Sequence, residues 1–248
     1  MKPIYERIED LCRVKEDVKD GEWYEEAFIY NDITERYKFV LSLLDEYGLK
    51  YEIESYWDKR CSVFFNNIIL KGKSKNIIVA HYDVVNPHID NANDNCASVI
   101  NLIALKLLNK DANIILLDGE EKPFLNRGAE LLCNNINNGK IERPDWILNV
   151  ELTGFGGKNT IHSNTGSVLS CILQSMGSIE HEIPECDGNF FVSKGFDCVT
   201  ITCAPIIEGV NDYTHLKHSH TRHDTLDKIK LSDMEEFVND VLLPLSKI

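Results

Sequence analysis

Short apolar runs alternate along this 248-residue chain with segments whose apolar residues recur at helical spacing. The run Asn76–His81 (NIIVAH) is apolar over most of its length, which is typical of a strand covered on both faces. A strand–helix–strand repeat favours a largely parallel sheet with helices on both sides. The sequence therefore predicts an α/β fold, a three-layer sandwich with a mixed, mostly parallel central sheet. The predicted strands are 51–56, 62–70, 76–81, 113–117, 146–150, 168–173 and 198–203, and the predicted helices are 4–18, 33–47, 97–108, 126–135 and 232–245.

Charge and hydropathy limit the classes of protein to which the chain can belong. No linker or low-complexity segment divides it, so we expect a single catalytic domain over residues 1–248. A formal net charge of −14 argues against nucleic-acid binding, which needs clustered Lys and Arg. No apolar run reaches the roughly 18 residues of a membrane span, and the start MKPIYERIEDLCRVKED is too charged for a signal peptide. We therefore expect a cytoplasmic protein without a membrane partner.

The eight cysteines are scattered and form no CxxC pair. Several lie in apolar runs, where a reduced cysteine behaves as a small hydrophobic residue. Because disulfides are rare in the cytoplasm, we expect free thiols and no disulfide framework.

Side chains that bind metals follow several of the apolar runs. They are His81 with Asp83, Asp94, the pair Glu120–Glu121, Glu151 and His220. In open α/β sheets, functional residues collect beyond the carboxyl ends of the strands. Imidazole and carboxylate ligands without a thiolate suit a hydrolytic divalent-metal site better than a structural one.

Each of these residues also has an ordinary structural interpretation. Asp94 precedes a predicted helix, where an aspartate often serves as the N-cap. The Glu120–Glu121 pair could be a solvated acidic turn, although a turn that follows a buried strand toward the same edge as His81 favours a functional role. One glutamate could then bind metal while the other takes a proton from water. Of the histidines in segment 215–223, we expect at most one or two to be ligands.

Five motifs in order carry a resemblance to a known family: IIVAHYD, NANDNCAS, LLDGEE, LNVELTG and SHTRHDTLDKI. Over about residues 75 to 230 they resemble the signatures of the di-zinc aminopeptidases of metallopeptidase family twenty-eight. The resemblance implies the zinc-aminopeptidase fold and two Zn²⁺ ions per chain, for which Mn²⁺ or Co²⁺ could substitute. It also implies Asp187 as a structural aspartate and a cis peptide bond between Asp94 and Asn95.

The resemblance further implies a role for each site residue. His81 and Glu151 would bind one zinc, Glu121 and His220 the other, and Asp94 would bridge both. Glu120 would be the general base, and Asp83 would orient His81. Two departures from the family pattern stand close to these residues. Cys96–Ala97–Ser98 replaces the usual small residues, and Arg222–His223 stands where proline is common.

The implied activity is that of a zinc-dependent exopeptidase, most simply an aminopeptidase acting on a peptide or aminoacyl substrate. Several alternatives stay open. The segment HYDVVNP resembles family twenty of the same clan, which implies a deacylase, amidohydrolase, carboxypeptidase or dipeptidase on the same metal site. A one-zinc glutaminyl-cyclase-like acyltransferase and an inactive binding module are further alternatives. Side-chain specificity and the number of copies in an assembly are not predicted, since aromatic candidates for an interface (Trp23, Tyr24, Phe28, Phe190 and Phe191) fit a core equally well.

Overall fold

The structure is a computed structural model and describes residues 2–14, 35–60, 62–85, 89–121, 125–163 and 166–248. Eight strands form one sheet in the order β1-β2-β4-β3-β5-β8-β6-β7. Strands β4, β3, β5 and β8 are mutually parallel, whereas β1, β2 and β6 introduce antiparallel pairs. The strands are β1 (Glu52–Asp58), β2 (Val63–Leu70), β3 (Ile77–His81), β4 (Asn113–Leu117), β5 (Ile147–Val150), β6 (Thr160–His162), β7 (Ile179–Glu180) and β8 (Cys198–Cys203). Beyond β8, β9 (Ile206–Ile207) and β10 (Val210–Asn211) form a separate hairpin.

Helices cover both faces of this sheet. They are α1 (Arg7–Cys12), α2 (Glu35–Glu46), α3 (Ala97–Leu108), α4 (Arg127–Asn137), α5 (Val168–Ser175), α6 (Asp187–Ser193), α7 (Leu231–Phe237) and α8 (Leu243–Leu245), the last two joined by a π-helical segment over Val238–Leu242. Alternate residues of β3 point to opposite faces, as the pleat requires. Ile78 and Ala80 pack in the larger core with α1, α2, α3, α5 and α7, while Ile77 and Val79 pack with α4 and α6. The predicted three-layer sandwich with a mixed, mostly parallel sheet is confirmed.

One predicted strand is wrong. Residues 168–173 belong to α5, which continues to Ser175. The Ser167 side chain accepts a hydrogen bond from the backbone N–H of Ser170 and so caps the helix, and Leu169 and Leu173, four residues apart, are both fully buried. A short apolar run fits either a strand or one buried helical stripe, so its composition alone did not separate the two.

The structure also bears on the short strands, the aromatic residues and the cysteines. Strands β6 and β7, of three and two residues, are too short to have been predicted. Phe191 is fully buried in the smaller core, with Phe190 packed against it. Trp23, Tyr24 and Phe28 lie outside the described residues. All seven cysteines in the described part of the chain are free, and no described helix has the length and apolar character needed to cross a bilayer.

Candidate metal centre

The three central strands bring the predicted ligands to one edge of the sheet. His81 is the last residue of β3, Glu151 directly follows β5, and the Glu120–Glu121 pair follows β4 after a tight turn at Gly119. Because β3 pairs in parallel with both β4 and β5, the carboxyl ends of these strands are adjacent. Asp94 arrives from the irregular segment Ala92–Cys96 that precedes α3.

The imidazole and carboxylate atoms form two donor groups that share Asp94. The Nε2 atom of His81 lies 3.3 Å from Asp94 Oδ1 and 3.3 Å from Glu151 Oε2. The Nε2 atom of His220 lies 3.3 Å from Asp94 Oδ2 and 3.0 Å from Glu121 Oε1. The two oxygens of Asp94 therefore face different histidines, as a carboxylate bridging two cations requires. In each group, three ligand atoms lie within 4.8 Å of one another.

Glu120 differs from the other carboxylates of the centre. A carboxylate oxygen of Glu120 lies within 4.8 Å of ligand atoms of His81 and Glu121. These three residues form a third group of possible metal ligands, which does not include Asp94 or His220. Among the residues that the structure describes, no hydrogen bond is accepted by the Glu120 carboxylate, whose backbone N–H is held by Asp83. A carboxylate beside the donor groups that no neighbour engages is positioned to exchange a proton with a substrate or with water.

Asp83 contacts both His81 and the turn that carries the glutamate pair. The Nδ1 atom of His81 is 3.2 Å from the backbone carbonyl of Asp83 and 3.5 Å from its carboxylate, an arrangement that leaves Nε2 free to bind metal. The same carboxylate accepts hydrogen bonds from the backbone N–H groups of Glu120 at 3.2 Å and Glu121 at 3.0 Å. Asp83 thus fixes the turn that carries the glutamate pair.

Burial and crowding shift the protonation of the centre. Burial raises the pKa of Glu121 to about 7; the charge of Asp94 adds to the shift and the hydrogen bond with His220 opposes it. Burial also raises the pKa of Glu120 and of Glu151. Hydrogen bonds with Asp94 and Glu121 raise the pKa of His220 to about 10. Burial alone would raise the pKa of Asp94, but the hydrogen bonds from His220 and His81 hold it below its ordinary range.

This donor set fits divalent metal ions. It offers two imidazole nitrogens and three carboxylates without a thiolate, a combination that suits hydrolytic zinc. Asp94, Glu121 and Glu151 are buried together, and the raised pKa values of Glu121 and Glu151 indicate that the protein alone does not neutralise the charge of all three. Two divalent cations would neutralise it. His81, Asp94 and Glu151 would hold one ion, and Asp94, Glu121 and His220 the other.

Because the metal-free ligands hold protons, we expect zinc affinity to rise with pH. A carboxyl group with a pKa of about 7 and an imidazole with a pKa of about 10 must each lose a proton to bind a cation. At pH 7, zinc binding should therefore release at least about one proton per chain. Titration calorimetry of the metal-free protein in buffers of different ionisation enthalpy would count these protons. An affinity that does not change between pH 6 and pH 8 would contradict this expectation.

Sequence reasoning gave no role to three residues that hold the ligands. Asp224 lies in the last motif, and its carboxylate accepts hydrogen bonds from the backbone N–H of Asn93 at 2.7 Å and of Asp94 at 3.0 Å. Asn95 and Asn149 donate to the two oxygens of Glu151 at 2.6 and 3.2 Å. Asn149 interrupts an otherwise apolar strand, and this pattern could have signalled a functional neighbour. The predicted cis peptide bond between Asp94 and Asn95 is confirmed.

Replacing Asp224 with asparagine should lower zinc affinity by about 10- to 100-fold, since a carboxylate that positions a ligand is worth that much in metal sites. Asp224 now accepts hydrogen bonds from two backbone N–H groups. The NH2 group of asparagine would face one of these donors and could not accept its hydrogen bond. Competition with a chromogenic chelator would measure the change. Asp227→Asn, which removes the same charge from an exposed position three residues away, is the matched control. Equal affinities of the two variants would rule out this role for Asp224.

Asp187, predicted to be a structural aspartate, begins α6 and is fully buried. Neither of its carboxylate oxygens has a hydrogen-bond partner among the described residues. Burial raises its pKa, and the charges of Glu151, Asp83 and Glu121 raise it further, while that of His81 lowers it. Asp187 is thus electrostatically coupled to the centre, where it raises the pKa of Glu120 after the larger effect of burial, although it belongs to neither donor group.

Comparison with known proteins gives one family match and several similar folds. A family model described as peptidase family M28 matches residues 67–243. No curated protein matches the sequence. The fold is similar to that of LapB from Legionella pneumophila, with a TM-score of 0.65, 15% identity and coverage of 97% of this chain and 69% of LapB. It is also similar to a glutaminyl cyclase from Porphyromonas gingivalis (TM-score 0.68, 13% identity, coverage 98% and 96%). The zinc aminopeptidase BSAP from Bacillus subtilis is a further similar structure (TM-score 0.58, 16% identity, coverage 75% and 50%).

Proposed function

The chain belongs to peptidase family M28, and we propose that it is a two-zinc aminopeptidase that releases N-terminal residues from peptides. The resemblance drawn from its five motifs is thereby confirmed at the level of the family. The main support for this proposal is that Asp94 is shared between two complete donor groups. The carboxylate of Glu120 lies beside them and accepts no hydrogen bond from the described residues.

Zinc, when bound by these residues, would supply Lewis acidity that polarises a carbonyl group and makes water more acidic. The protein would supply the proton transfers. In this proposal Glu120 takes a proton from the attacking water and later returns it to the leaving amine. Asp83 keeps Glu120 and Glu121 in register through their backbone N–H groups, and Asp224 does the same for Asp94. The carboxylate of Glu120, which binds no metal in this assignment, favours a substrate that brings a positive charge, such as a free α-amino group.

A substrate panel would test this activity. The zinc-loaded protein should hydrolyse fluorogenic aminoacyl amides with a free amino group, and a chelator should stop the reaction. The same amides with an acetylated amino group should be poor substrates. Cleavage restricted to the N-blocked compounds would reject the aminopeptidase and favour a deacylase.

A glutaminyl cyclase is the second candidate, because the similarity to the Porphyromonas gingivalis cyclase covers nearly the full length of both chains. A peptide with N-terminal glutamine separates the two activities, since cyclisation releases ammonia without cleaving a peptide bond. We favour the peptidase because the group of His81, Asp94 and Glu151 is complete and buried, and so offers a place for a second ion.

A further inference from the structure

Basic side chains converge around the segment that carries His220, although the chain as a whole carries a net charge of −14. The Nζ atom of Lys228 lies 3.4 Å from Nδ1 of His218 and also donates to the backbone carbonyl of His223. The rings of His218 and His223 are 5.9 Å apart. We call these three residues the basic cluster. Arg222 is exposed on the same turn.

The side chains of the basic cluster can donate hydrogen bonds to a ligand. An ammonium group can only donate, so His218 accepts from Lys228 at Nδ1 and carries its own proton on Nε2. Among the ion pairs between described residues, none includes Arg222, His223 or Lys228. The neighbouring carboxylate of Asp224 points inward to the backbone of Asn93 and Asp94.

Asp212 is a further carboxylate near the basic cluster, and its charge acts on His218. Its oxygens accept hydrogen bonds from the backbone N–H of Thr214 at 2.9 Å and from the Thr214 hydroxyl at 2.8 Å. Asp212 therefore already has partners of its own. Lys228 uses two of its three N–H groups within the basic cluster, so its third N–H group and the Nε2–H of His218 can donate to a ligand.

The basic cluster is within reach of a substrate held at the metal centre. His218 and Arg222 each lie two residues from His220, so their Cα atoms are at most about 8 Å from that of His220. His220 itself contacts Asp94 and Glu121. An extended dipeptide spans about 7 Å. One end of a short peptide could thus lie among the carboxylates of the centre while its other end meets the basic cluster.

We propose that the basic cluster, with Arg222, binds the terminal carboxylate of the substrate, so that the preferred substrates are dipeptides and tripeptides with a free C-terminus. A short peptide is a zwitterion, and the site matches it with acidic groups for the amine and basic groups for the carboxylate. This inference rests on the proposed peptidase function.

Equilibrium binding tests the inference without requiring turnover. The zinc-loaded Glu120→Gln protein would be titrated calorimetrically with Leu-Gly and with Leu-Gly-amide, which differ only in the charged terminus. We expect the free acid to bind about tenfold more tightly, the effect of a charge-assisted hydrogen bond at a partly exposed site. In the double variant that also carries Lys228→Met, the ratio of the two dissociation constants should fall to near 1. Lys228→Arg should restore most of it.

The ratio is measured within one preparation, so a partly unfolded variant does not imitate the result. Lys50→Met, which removes an exposed lysine elsewhere, is the matched control and should keep the tenfold ratio. Equal binding of acid and amide, a ratio that survives Lys228→Met, or no binding of either peptide would overturn the inference. Hydrolysis by the wild-type protein is scored separately. Preferential binding of the acid without any hydrolysis would reject the peptidase function and retain the carboxylate site, whereas hydrolysis without preference would do the reverse.

Discussion

Replacing Asp94 with alanine should remove both metal ions and reduce hydrolysis by about 10⁴-fold or more, equivalent to at least about 5 kcal/mol of transition-state stabilisation. The expectation follows from the division of the Asp94 oxygens, one facing His81 and the other His220. Without this carboxylate each donor group keeps only two protein ligands. Elemental analysis of the purified variant after zinc loading would give the number of ions per chain.

His220→Ala provides the comparison that makes this result specific. It removes a ligand from one donor group and leaves His81, Asp94 and Glu151 complete, so one ion per chain should remain. Asp145→Ala, at an exposed position paired with Lys75, should keep both ions and full activity. If Asp94→Ala still bound two zinc ions, Asp94 would not be a bridging ligand and the two-metal assignment would be wrong.

Replacing Glu120 with glutamine should lower kcat by about 10²- to 10⁴-fold, the range expected for loss of a general base. Zinc content should not change, because Glu120 is outside the two donor groups that share Asp94. Glutamine keeps the size and polarity of the side chain but cannot accept the proton from water. Steady-state kinetics on an aminoacyl amide, combined with metal analysis of the same sample, would separate the loss of proton transfer from the loss of metal.

Glu142→Gln is the control for this second variant, since it makes the same chemical change at an exposed position. It should behave like the wild-type protein. A kcat of Glu120→Gln within a few-fold of wild type would show that another group takes the proton. Loss of zinc from the variant would instead make Glu120 a ligand.

The strands that carry the centre could be predicted from the sequence because their apolar runs are uninterrupted. NIIVAH and NIILL lie within one or two residues of β3 and β4, and the rule that parallel strands end at one edge places His81 near the glutamate pair. The same rule extends to Glu151 after β5. Only the family motifs predict that Asp94 belongs to the same site as these residues, because the segment that contains Asp94 is neither a regular helix nor a strand.

The supporting interactions could not be predicted, because they join residues distant in sequence. Asp224 holds the backbone of Asn93, which is 131 residues away. The Asp83 carboxylate accepts hydrogen bonds from the backbone N–H groups of Glu120 and Glu121. These bonds depend on the shape of the turn, which no residue pattern reveals. The apolar run 168–173 fits a strand as well as a helix, and the cap at Ser167 that begins the helix is visible only in the structure.

Activity measured as a function of zinc per chain would distinguish a two-zinc centre from a one-zinc centre. Metal-free protein would be titrated with zinc, and hydrolysis of an aminoacyl amide would be followed at each addition. A centre built on a shared Asp94 predicts that two ions bind per chain and that turnover reaches its maximum only as the second site fills. Saturation of binding at one ion per chain, with cyclisation of N-terminal glutamine in place of hydrolysis, would contradict the two-zinc peptidase.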